Sequence, residues 1–133
     1  MLVGAAGLYT LAYVVSGPDL SAIRDEHLAQ IQGCYSLNGI PLLRVQGSNV
    51  VSGKEVRGFE AVREKSRDVL LMDNPVKLRR SNGPQIVTAG NASKVEISYG
   101  PPVRLSFWDE DDNEVLAEKA RCTDKHSRLS EQL

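Results

Sequence analysis

Along residues 33–122, apolar positions come in short runs, each closed by turn-forming residues. The runs are residues 40–46, 50–52, 69–72, 76–79, 86–89, 94–99, 103–108 and 114–121. Asn38-Gly39, Gly47-Ser48-Asn49, Asp73-Asn74-Pro75, Ser81-Asn82-Gly83-Pro84, Gly90-Asn91 and Gly100-Pro101-Pro102 separate them. So many short β-type runs at this spacing predict a mainly β fold, a small antiparallel sandwich or barrel of about 7–8 strands.

The last third fixes a register. If Gly100 to Pro102 turns the chain, Tyr99 faces Val103, Ile97 faces Leu105 and Val95 faces Phe107. One face is then apolar throughout, and the other reads Lys94, Glu96, Ser98, Arg104, Ser106 and Trp108. Alternation in phase on two strands is what a half-buried hairpin requires. Val115 and Ala117 carry the apolar face onto a third strand, and Lys94 falls opposite Trp108 as a cation–π pair.

Residues 54–66 are ambiguous. Ser52-Gly53-Lys54-Glu55 matches a helix capping box, and Val56, Phe59 and Val62 follow at a spacing of three. Yet Val56, Gly58, Glu60 and Val62 also alternate, so this segment is a helix, making the fold α+β, or a twisted strand.

The opening of the chain breaks with this pattern. Met1 to Pro18 carry no charged side chain, and Asp19 is the first. A helix over residues 2–17 rises about 24 Å, between a signal-peptide core and a full membrane span. A membrane anchor, a cleaved signal peptide and a buried core helix all fit; the anchor is preferred. No Lys or Arg precedes the apolar run, as a standard signal peptide requires. Gly17-Pro18 ends the first helix, and Leu20, Ile23, Leu28 and Ile31 recur at helical spacing up to Gly33. The expected organisation is therefore a hydrophobic anchor or signal segment at 1–17, a helical stem at 18–32, a β-domain at 33–122 and a polar tail at 123–133.

Charge and cysteines refine this picture. Sixteen basic and seventeen acidic side chains leave a net charge of −1. That balance gives no reason to expect a nucleic-acid partner. Cys34 and Cys122 lie near the two ends of the β-domain, and an exported location would let them pair as a disulfide.

Chemistry is sparse. The two histidines, His27 and His126, fall in the stem and the tail, outside the expected β-domain. Scattered His and Cys do not make a zinc site, and neither a phosphate loop nor a dinucleotide fingerprint is present. The run Asp109-Glu110-Asp111-Asp112-Asn113-Glu114 has the first three ligand spacings of a calcium loop, but Glu114 stands where glycine is needed and Ala120 where glutamate is. A solvated hairpin turn fits better. No residue is assigned a catalytic, cofactor-binding or metal-ligating role. Asn91-Ala92-Ser93 matches a glycosylation sequon, which has meaning only in a eukaryotic secretory pathway.

Trp108, Lys94, Arg104 and Tyr35 are the candidate partner-binding residues, with Tyr99, Arg44 and Arg57 also of interest, because exposed aromatics and arginines anchor interfaces. The sequence thus predicts a membrane-anchored or exported protein, held in the membrane through residues 1–17 and facing the periplasm or exterior, or secreted after cleavage. Its β-domain acts as a non-catalytic binding module for a protein partner. The alternatives are a barrel holding a small apolar ligand against Val95, Leu105 and Phe107 and, more weakly, a carboxylate-dependent hydrolase.

Overall fold

A computed structural model describes residues 20–123. Residues 1–19 and 124–133 lie outside it, and with them the segment expected to be an anchor or signal and most of the expected tail. Twelve elements follow in order: β1 (Leu20–Ala22), α1 (Asp25–Ile31), β2 (Gly33–Leu37), β3 (Ile40–Gln46), β4 (Asn49–Ser52), β5 (Glu55–Glu64), β6 (Arg67–Met72), β7 (Val76–Arg79), β8 (Gln85–Thr88), β9 (Lys94–Ser98), β10 (Arg104–Trp108) and β11 (Glu114–Ala120).

The register expected from alternation is present. Ile97 pairs with Leu105, which pairs in turn with Ala117, while Phe107 pairs with Val115. The side chains of Val95, Leu105, Phe107, Val115 and Ala117 are all buried in one core. Eight strands run antiparallel in the order β2-β3-β4-β5-β6-β9-β10-β11, and β11 pairs back to β2, closing a barrel. Closure leaves those ladders without open edges, the usual liability of a sheet.

The seam between β11 and β2 is stapled. Ala120 pairs with Cys34, and the Cys34–Cys122 disulfide joins the two strands, with Cα atoms 5.2 Å apart. It spans 88 residues of sequence, so one bond ties the first barrel strand to the last.

Each end of the barrel is covered. The β7–β8 hairpin, inserted between β6 and β9, touches β10 and β3, and its Val76, Leu78 and Ile86 complete the barrel core. At the other end α1 buries Ile31, whose carbonyl accepts a 2.8 Å hydrogen bond from the Tyr35 hydroxyl. Gln32 exchanges two hydrogen bonds with the backbone of Gly47 in the β3–β4 turn. Among the described residues, no helix is long and apolar enough to cross a membrane.

Two readings are decided here. Of the two alternatives left open for residues 54–66, the strand forms, as β5 (Glu55–Glu64): Ser52 and Glu55 are a cross-strand pair around a tight turn in which Gly53 has φ +63°. The same two residues mimic a capping box because both motifs place their ends three apart. Gly58, which weakens a helix, sits in the strand where a Cβ would displace the Asp73 carboxylate. The helical stem at 18–32 is also too long. β4 has only four residues, so the far half of β5 would be left unpaired on that side. Leu20–Ala22 pairs there as a strand against Val62 to Glu64, and the helix is confined to α1.

Candidate functional site

Alternation along β9, β10 and β11 turns Lys94, Glu96, Arg104, Ser106, Trp108, Glu114 and Leu116 to the outer wall. Trp108 is 43% exposed and Leu116 47%. Trp108 pairs with Glu114 and Ser106 with Leu116, so the two large apolar side chains are diagonal neighbours.

The loop between β8 and β9, residues 89–93, lies beside the indole. Backbone hydrogen bonds fix it: Ala89 N–H to Pro75 O at 3.1 Å, Val76 N–H to Ala92 O at 3.1 Å, and Met72 N–H to Ser93 O at 2.7 Å. Gly90, with φ +76°, lets the Lys77 side chain pack against the loop, where a Cβ would collide with it. A cleft of about 470 Å³ opens on one side of Trp108, lined by Leu71, Asn91, Ser93, Glu96, Ser106 and Glu114 among others. A second, of about 410 Å³, opens on the other side, toward Lys77, Gly90 and Asp112. Trp108, Asn91 and Ala92 line both.

The charges around the indole are largely answered. Lys94 Nζ pairs with Glu64 at 2.6 Å, Arg67 with Glu96 at 2.7 Å and Lys77 with Asp112 at 2.7 Å. Ser106 donates to Glu114 at 2.6 Å. Such surface pairs add little stability, about 0–1 kcal/mol each, but they leave the wall near neutrality. The expected cation–π contact between Lys94 and Trp108 does not form, because the ammonium is held by Glu64.

Of the other binding candidates, Arg104 is on the same wall, bonded to Glu118 at 2.9 Å. Tyr35 is not a surface residue. It is fully buried in the barrel, where burial pushes its hydroxyl well above the ordinary tyrosine range. Arg57 points toward the β7–β8 cap, with Thr88 Oγ1 at 3.4 Å. Arg44 pairs with Cys34 and Val51 on the β2–β3–β4 wall, away from Trp108.

The acidic run after β10 serves the cap. The buried Asp109 carboxylate accepts the backbone N–H groups of Asn113 and Asp111, both at 2.9 Å. The Asn113 bond, with help from Asp111, Arg80 and Lys77, holds this carboxyl below its usual range. Glu110 accepts from the Arg80 N–H at 2.8 Å, and Asp112 pairs with Lys77. The acidic turn therefore latches the basic hairpin β7–β8 over the barrel.

A second polar cluster occupies the opposite end. The Asp68 side chain is 1% exposed and takes the Tyr99 hydroxyl at 2.6 Å, Arg63 Nη1 at 3.1 Å and His27 Nδ1 at 3.2 Å. The His27 and Tyr99 rings stack, with centroids 4.7 Å apart. Burial first, and the bond to Asp68 second, push the Tyr99 hydroxyl well above its ordinary value, so it remains a donor. A cleft of about 310 Å³ beside it is lined by Ala22, Arg24, His27, Arg63 and Asp68. Asp68 is not among the residues that the sequence singles out. Its signal was there, because Asp68 shares the phase of Leu70 and Met72, the inward residues of β6. The cluster pins α1 to the barrel.

Compared with known protein families, curated proteins and solved structures, the chain matches none.

Proposed function

We propose that this is a small membrane-anchored or exported protein whose barrel is a non-catalytic binding module, meeting its partner on the outer wall around Trp108. The observation that carries this reading is a half-exposed indole set between two clefts, on a loop and strand that are themselves firmly held. Large aromatics are costly to leave in water without a use, and they dominate binding energy when a partner covers them. The interior supports the same reading over an internal apolar ligand. Val95, Leu105 and Phe107, which would have to line such a cavity, are buried against one another and against the cap residues Leu78 and Ile86. A hydrolase finds less support, since the two carboxylates buried among the described residues, Asp68 and Asp109, sit at opposite ends and each already accepts at least two hydrogen bonds. Export is favoured by the uncharged leading segment and by the disulfide, which persists in oxidising compartments.

The test is site-directed photo-crosslinking in cells with the full chain. Leu116→benzoylphenylalanine, beside Trp108, is expected to give a discrete adduct, whereas Val56→benzoylphenylalanine, at an equally exposed apolar site elsewhere, gives none. Adding Trp108→Ala is expected to cut the adduct by about tenfold or more, as loss of an anchoring aromatic does. An adduct that is indifferent to Trp108, or equal from positions 116 and 56, contradicts the proposal.

A further inference from the structure

We infer that the larger cleft beside Trp108 takes a neutral saccharide; this rests on the reading of that wall as the binding face. Four features of the cleft point there. Its largest lining side chain is the half-exposed Trp108, a planar aromatic suited to pack on the C–H face of a pyranose ring. Around that platform stand polar side chains, the Asn91 amide, the Ser93 hydroxyl and the Glu114 carboxylate, which accepts from Ser106 through one oxygen. Together they supply donors and acceptors at the rim, as the ring hydroxyls of a sugar demand. A few convergent polar groups at a cleft of about 300–1,000 Å³ are the usual furniture of a small-ligand site.

Charge and topology narrow the class. Lys94 and Glu96 both line the cleft, and each is answered, by Glu64 and Arg67, as Arg104 on the same wall is by Glu118. A phosphate-bearing or sulfated ligand would find every cation there already paired and the Glu114 carboxylate beside it. An extended peptide would usually add a strand to a sheet edge. Here β10 is paired on both sides, with β9 and β11, so backbone recognition of that kind is closed off. What remains is recognition by side chains of an uncharged molecule that has both an apolar face and many hydroxyls.

Trp108 is the sole tryptophan of the chain, so its emission reports on this site alone. The experiment titrates the full chain, in detergent micelles, with chitohexaose, cellohexaose and mannohexaose, and with heparin as the anionic control. At least one neutral hexasaccharide is expected to shift or quench the emission saturably at submillimolar concentration, with heparin inert. Asn91→Ala and Glu114→Gln are each expected to weaken that binding by about fivefold to tenfold with the unfolding midpoint unchanged, since both side chains are at the surface. No response to any of the three sugars up to about 10 mM, or a response to heparin instead, overturns the saccharide assignment. If the Trp108-dependent adduct from position 116 persists in that event, the saccharide assignment alone falls. If that adduct is also independent of Trp108, the binding wall falls with it.

Discussion

Cys34→Ser with Cys122→Ser is expected to lower the unfolding free energy by about 4–5 kcal/mol, and the thermal midpoint by roughly 15–30 °C. The magnitude follows from the size of the closed loop. The bridge spans 88 residues and removes the corresponding freedom from the unfolded chain, on an entropic account whose mechanism is itself model-dependent. The position adds a second effect. Strands β2 and β11 are the two ends of the barrel sequence, and their pairing is the last contact needed for closure. Without the bridge, opening at this seam exposes a row of backbone donors and acceptors. Thermal unfolding of the oxidised protein against the double variant measures this, and a midpoint that moves by only a degree or two would mean that the seam holds without its staple.

Asp68→Ala is expected to be the costliest single substitution of a charged side chain, at about 2–4 kcal/mol in urea unfolding. The Tyr99 hydroxyl and Arg63 donate to a carboxylate that is nearly inaccessible to water, and His27 Nδ1 lies 3.2 Å from it. Arg63 and His27 are partly exposed and regain water when it goes, which limits the loss. The Tyr99 hydroxyl is less fortunate, being partly buried and bonded to that carboxylate alone. His27→Ala, which removes one exposed-side partner and a stacked ring, is expected to cost about 1 kcal/mol. A neutral outcome for Asp68→Ala would show that α1 is held to the barrel by Ile31 and Gln32 rather than by the polar cluster.

These results separate what patterning reveals from what it hides. The β9–β10–β11 meander is legible because one face is buried and the other is wet, so each residue declares its side. Asn38-Gly39 is equally plain, since both residues take positive φ in a two-residue turn. The path of residues 54–66 is not, because a tight turn and a helix cap share their residues. β1 is hidden for another reason: it pairs only because β4 is short, a fact of three-dimensional register with no local signature. Tyr35 stands out by residue type alone, because its short run, Gly33–Leu37, has no apolar stretch to mark it as a strand; its phase with Leu37 is what turns it inward. The cap over the barrel mouth was legible as a hairpin, with its turn at Ser81 to Pro84, but its partner was not. The acidic turn that latches it lies about 30 residues on, and nothing local says that opposite charges so far apart will meet.

A filled barrel that binds on its outside, as proposed, is tested by methyl and indole NMR of the full chain, recorded while whichever component crosslinks to position 116 is added. The single indole N–H resonance of Trp108 and the methyl of Ala92 are expected to shift together, with the methyls of Leu43, Leu70 and Leu105 unmoved. Shifts confined to those interior leucines, with the indole resonance in place, would contradict the account and favour a ligand held within the barrel.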